Sequence, residues 1–146
     1  MKQVEVKLFD GFLFFVDGED ISLSEQERET FALLFAAGGN PVTAKQLWKL
    51  LYEPKGCRYS SHYYAYRVSR LRRELFARQL GDILENGLSP VRFTRIDRAL
   101  TCDYFAMLDG KLPLLKKELF LPEYSWSAVL YSTDWERLQE NWERCR

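Results

Sequence analysis

Between Ser60 and Gln79 the apolar residues Tyr64, Val68, Leu71 and Leu75 recur at the spacing of a single helix face, and Arg67, Arg70, Arg72, Arg73 and Arg78 fall between them. A strand cannot use this pattern, because a period of two would send half the seam to the opposite side. The stretch therefore predicts a helix over residues 62–79, capped by Ser60 or Ser61, with one stripe buried and a basic one left outside. The rest of the chain has to supply a core for that seam.

Composition allows such a core. The chain has 146 residues, 47% apolar and 15% aromatic, enough for one domain or one domain with a small appendage. Disorder is excluded by this composition, and no run reaches the ~20 apolar residues that a membrane helix needs. The start, MKQVEVKLFD, mixes acids into its first apolar run and is not a signal peptide. Cys57, Cys102 and Cys145 are odd in number and widely spaced, which suggests neither a disulfide framework nor a metal site and fits a reducing, cytoplasmic setting.

Net charge is zero, but it is unevenly spread. Residues 1–30 hold eight acids against three bases, whereas residues 55–78 hold seven bases and Glu74 alone among acids. A basic block inside a neutral chain is a candidate anion-binding surface; a solvated helix face is the plain alternative.

Turn and cap signals order the remaining elements. Residues 4–9 and 12–16 read as strands with Asp10-Gly11 between them, and Asp17-Gly18 leads to a short third strand at 21–23, giving an antiparallel meander. Ser24 with Glu27 forms a capping-box pattern opening a first helix through Phe31, Leu34 and Phe35, which Gly38-Gly39-Asn40-Pro41 ends. Thr43 with Gln46 opens a second helix bearing Leu47, Trp48, Leu50 and Leu51. After the arginine-rich third helix, residues 82–84 and 91–94 flank Asn86-Gly87 as a hairpin. Short helical pieces follow around 104–109 and 114–121. Thr133 with Glu136 opens a last helix with Trp135, Leu138 and Trp142 on one side. That stripe either docks back onto the chain or serves a second copy or a partner protein. Trp126 is expected to plug the core of this extension.

Projected at about 100° per residue, the third helix turns Tyr63, Tyr66, Arg70, Arg73 and Ala77 away from its seam. Arg67 and Ser69 lie on the flanks, and Arg72 lies nearer the core edge. Arginine can fork onto guanine edges or clamp phosphates, and tyrosine hydroxyls can donate to phosphates. Two helices before such a helix and a hairpin after it describe a winged helix-turn-helix.

The stretch GNPVTAKQLWKLLY (39–52) followed by YAYRVSRLRREL (64–75) resembles the OmpR/PhoB-type winged-helix DNA-binding domain, and the preceding strand meander fits that family. The resemblance covers roughly residues 3–98. The remainder, from Cys102-Asp103-Tyr104-Phe105 to Tyr124-Ser125-Trp126-Ser127, resembles the start of the helical, TPR-like bacterial transcriptional activator domain of SARP-type regulators, of which some response regulators carry a short remnant. The resemblance implies an α+β fold: meander, three helices, a C-terminal hairpin wing and a short helical extension. It implies domains at 1–100 (winged helix-turn-helix) and 101–146 (extension). It also implies a bacterial transcription regulator of response-regulator type whose partner is double-stranded DNA. The receiver domain is expected to be absent, since the meander already begins at Val4.

Carried over residue by residue, the resemblance implies that Arg70 reads a base, and that Arg67, Arg72, Arg73, Tyr63 and Tyr52 contact the backbone. The wing departs from the family pattern. Gly87 stands where the minor-groove arginine belongs, Glu85 precedes it, and Arg92 matches only the late wing arginine; Arg95 and Arg98 are the candidate substitutes. The alternative function is a winged helix that has given up DNA for protein partners. Pairing of the third helix's arginines by Glu25, Glu27 or Glu29 would favour it. No catalytic residue, cofactor or metal is expected. The chain lacks a phosphate loop, GxSxG and HExxH, and Cys57 with His62 supplies two of the four ligands that a structural zinc needs. The chain is therefore not read as an enzyme.

Overall fold

The computed structural model describes residues 2–85, 95–97 and 99–131. The chain divides into two compact units, one built from residues 1–22 together with 98–146, the other from residues 23–97. The expected boundary at residue 100 therefore runs differently, because the N-terminal meander shares its unit with the C-terminal segment.

In the first unit, β1 (Val4–Lys7) pairs antiparallel with β2 (Leu13–Val16), and β2 with β3 (Glu19–Asp20). Val6, Phe14 and Val16 are buried while Glu5 and Lys7 face out, the alternation of a sheet covered on one side. Asp17 and Gly18 have φ of 51° and 82°, the two left-handed residues of a tight primed turn. Such a turn starts pairing at once, with Val16 opposite Glu19. The third strand is therefore Glu19–Asp20 and not the expected 21–23. A further strand, β4 (Thr101–Cys102), pairs parallel to β1, giving the order β3-β2-β1-β4. It leads into α4 (Asp103–Leu108).

The backbone beyond β1 is held by the C-terminal segment. Asp103 accepts the N–H groups of Leu8 (2.9 Å), Phe9 (3.3 Å) and Tyr104 (2.7 Å). Burial nonetheless pushes its carboxyl above the usual range. Asp10 N–H donates to Leu119 O at 2.7 Å and Leu121 N–H to Leu8 O at 2.8 Å, on either side of a Phe9–Phe120 bridge. The rings of Phe9, Tyr104, Phe120 and Tyr131 cluster there, with Phe120 and Tyr131 stacked at 4.6 Å. Trp126 is buried against Tyr124, as a core plug should be.

The second unit packs three helices, α1 (Glu25–Ala36), α2 (Ala44–Leu51) and α3 (Ser61–Ala77). Thr43 and Gln46 form the expected capping box at 2.9 and 3.2 Å. Ser24 caps nothing with its side chain, and the Glu27 side chain, which would complete the box, pairs with Arg70 on α3. Gly38 and Gly39, at φ of 70° and 84°, end the chain's run beyond α1. After α3, residues 82–84 are not a full strand. They form a helical turn, Gly81–Ile83, from which Leu84 bridges Ile96 antiparallel. Glu85 N–H to Arg95 O (2.9 Å) and Asp97 N–H to Ile83 O (2.9 Å) extend this pairing on either side of the bridge. The rest of the wing, with Gly87 and Arg92, and the Trp135–Leu138–Trp142 stripe lie outside the described residues, as do Arg98 and Cys145. None of the described helices is long and apolar enough to cross a membrane.

Candidate nucleic-acid interface

The seam of α3 is where its spacing puts it: Tyr64, Val68, Leu71 and Leu75 are buried. Ser60 starts the helix by accepting the His62 N–H at 3.2 Å. On the opposite face His62, Tyr66, Ser69, Arg70, Arg73, Phe76 and Ala77 are all exposed. A shallow groove along it is lined by His62, Ala65, Tyr66, Ser69, Arg70 and Arg73. Small residues at 65 and 69 keep the helix slim between its longer side chains.

The six residues singled out from sequence separate into four settings. Arg73 is exposed, and none of the ion pairs among the described residues uses it. Arg70 is about half exposed at 48%, its Nε donating to Glu27 Oε1 at 2.6 Å and its Nη1 to Tyr66 Oη at 3.3 Å. The hydrogen bond to Glu27, then the fields of Tyr66 and Glu27, raise its pKa further. Arg72 donates from Nη2 to the Glu85 carbonyl, tying α3 to the segment that pairs with Arg95.

Arg67 departs from the expected flank position. It is 4% exposed and points inward. Its Nε donates to Tyr52 Oη at 2.9 Å; its Nη1 donates to Glu29 Oε1 and the Gln26 carbonyl, each at 3.2 Å. Tyr52, at the end of α2, is half-buried and stacks on Tyr63 at 3.9 Å and 14°. The Tyr63 hydroxyl has its pKa raised, first by desolvation and then by the neighbouring Cys57. Arg67, Tyr52 and Tyr63 thus form one connected support on the α2 side of the helix. In the folded chain the Arg67 guanidinium is spent on internal partners, and Tyr52 and Tyr63 keep one edge toward solvent.

Glu27 and Glu29, with Glu25, were in the sequence candidate partners for the third helix's arginines, without a sign of which arginine each would meet. Their i, i+2 spacing gives no sign that both turn to α3. The signal that could have found them is complementarity: two acids in α1 against two arginines, Arg67 and Arg70, spaced three apart on α3.

The order of elements, the covered seam and the outward helix face define an α+β, winged-helix-like fold. No protein-family model matches the chain, and no curated protein matches it. Among solved structures it is similar to Mycobacterium tuberculosis EmbR in complex with a low-affinity phosphopeptide, at a TM-score of 0.56 and 20% identity. The match covers 95% of this chain and 44% of that one, so the chain spans less than half the length of the structure it resembles. The likeness supports the fold, including the part beyond residue 100.

Proposed function

We propose that this chain is the DNA-binding part of a transcription regulator and that α3 enters the major groove. The observation that carries the reading is the exposed stripe of α3, where Tyr66, Ser69, Arg70 and Arg73 share one face of a helix whose other face is core. Arg70 addresses a base edge; Arg73, Arg72, Tyr63 and Tyr52 address phosphates; Arg67 holds Tyr52. A single module of this kind buries about 600–1,000 Å² of protein surface, so recognition calls for paired half-sites. The similarity to a winged-helix structure supports the same reading.

Fluorescence anisotropy on a mixed-sequence duplex across a salt series tests it. Affinity should fall steeply with salt, by roughly 0.9 log units per log unit of salt for each neutralised phosphate. Arg70→Ala with Arg73→Ala should flatten that slope.

One observation favours a second reading. The ion pairs Glu27–Arg70 and Glu29–Arg67 neutralise part of the basic block, as expected of a winged helix turned to protein partners. A folded protein that binds no duplex at low salt would support this reading over the first.

A further inference from the structure

We infer that Glu27 is a positioning residue that sets Arg70 to read guanine. The inference rests on the DNA-binding reading and names the base that its central arginine takes.

Glu27 is 3% exposed, and among the described residues its ion-pair partner is Arg70. A buried carboxylate is retained only with a partner of this kind, so the pair is held from the α1 side, where the glutamate cannot swing into solvent. On the outer side the guanidinium lies 5.4 Å from the centre of the Tyr66 ring, and Tyr66 Oη accepts from Nη1 at 3.3 Å. The arginine is thus fixed at its inner corner by Glu27 and along its plane by Tyr66.

A guanidinium carries five N–H donors in one rigid plane. With Nε–H given to Glu27 and one Nη1 N–H to Tyr66, the edge left for a ligand is the terminal one, formed by the second Nη1 N–H and by Nη2. That edge offers two parallel donors, which match the adjacent O6 and N7 acceptors of guanine in the major groove. Adenine sets a donor beside its N7, cytosine presents a donor, and thymine sets a methyl beside its single acceptor, so each wastes one arm of the fork. The carboxylate also cancels much of the arginine's charge. That weakens its attraction to phosphates, which any sequence offers, and leaves its directed hydrogen bonds intact. Specificity is a difference of affinities, and this arrangement lowers the background more than the match.

The test starts with duplexes selected by the wild-type protein from a random-sequence pool. The guanines of a selected site are then replaced by the 7-deaza analogue, which lacks the N7 acceptor. Wild type should enrich a guanine and lose about tenfold in affinity on replacement, the scale of one bidentate base contact. Glu27→Ala should still bind with an undiminished salt slope yet respond to the analogue by less than about twofold. Glu27→Gln, whose amide oxygen still accepts from Nε, should keep most of the response, which a merely structural role for Glu27 would not require. Glu27→Asp keeps the charge while drawing it back by one methylene, and serves as the test if the alanine variant does not fold. A wild-type protein that selects no guanine, or folded Ala and Asp variants as sensitive as wild type, overturns the inference and leaves DNA binding standing. Absence of salt-dependent binding to the pool overturns the DNA reading and this inference with it.

Discussion

Arg67 shows how far a charged residue's part can depart from its place in a periodic pattern. On α3 it lies one residue before Val68, at the margin of the seam, and a helical projection sends it to the flank. The long arginine stem can follow apolar surface inward when its head meets acceptors there. Here Tyr52, Glu29, Gln26 and Thr30 provide them. Breaking such a pair by removing one partner costs about 3–5 kcal/mol when the other stays buried. Glu29 is 26% exposed and can recover some hydration. Arg67→Ala should therefore cost about 3 kcal/mol, at the low end of that range, while Arg73→Ala should cost less than about 0.5 kcal/mol as an exposed substitution. Chemical denaturation of both variants checks this. Equal stabilities would return Arg67 to the surface. The seam residues Tyr64, Val68, Leu71 and Leu75 were legible because apolar burial follows period alone. The buried charges Arg67 and Glu27 were not, because what holds them lies about forty positions away.

Helix starts carry the same lesson at the next scale. Ser24 with Glu27 and Thr43 with Gln46 present the same four-residue pattern, yet only the second closes as a box. A capping box needs its N3 side chain to turn back to the N-cap N–H. Gln46 is exposed and does so; Glu27 faces Arg70, where its carboxylate meets a full opposite charge instead of a single backbone N–H dipole. Thr43→Ala should therefore lower stability by about 1 kcal/mol, while Ser24→Ala should cost only a few tenths. Thermal unfolding of the two variants side by side measures the contrast, and a loss at Ser24 as large as at Thr43 would mean that α1 is capped in solution after all. The length and caps of α2 and α3 could be read from local signals. The two-residue β3 and β4 could not, since one is dictated by turn geometry and the other by pairing with a strand far away in the chain.

For the whole molecule, the consequential difference from the sequence reading is the alliance of the two chain ends. A winged-helix module cut at residue 100 matches the resemblance, but β1 would lose its parallel neighbour β4. The N–H groups of Leu8 and Phe9 would lose Asp103, that of Asp10 would lose the Leu119 carbonyl, and Phe9 would lose Tyr104, Phe120 and Tyr131 from around its ring. Each large apolar side chain returned to water forfeits about 1.5–3 kcal/mol, and an uncovered strand edge with bare apolar residues invites association. Nothing local in residues 1–22 announces this, because the strands alternate as any half-buried meander would, and their cover is supplied from Thr101 onward. A chain ending at Leu100 should keep exchange-protected amides in α1 and α3, whose ion pairs and seam it retains. It should lose protection at Val6 and Phe14 and bind a hydrophobic dye. Protection at Val6 equal to that of the full chain would mean that the meander finds its cover within residues 1–100, and the segment after residue 100 would then be an appendage in the sense that the sequence alone implied.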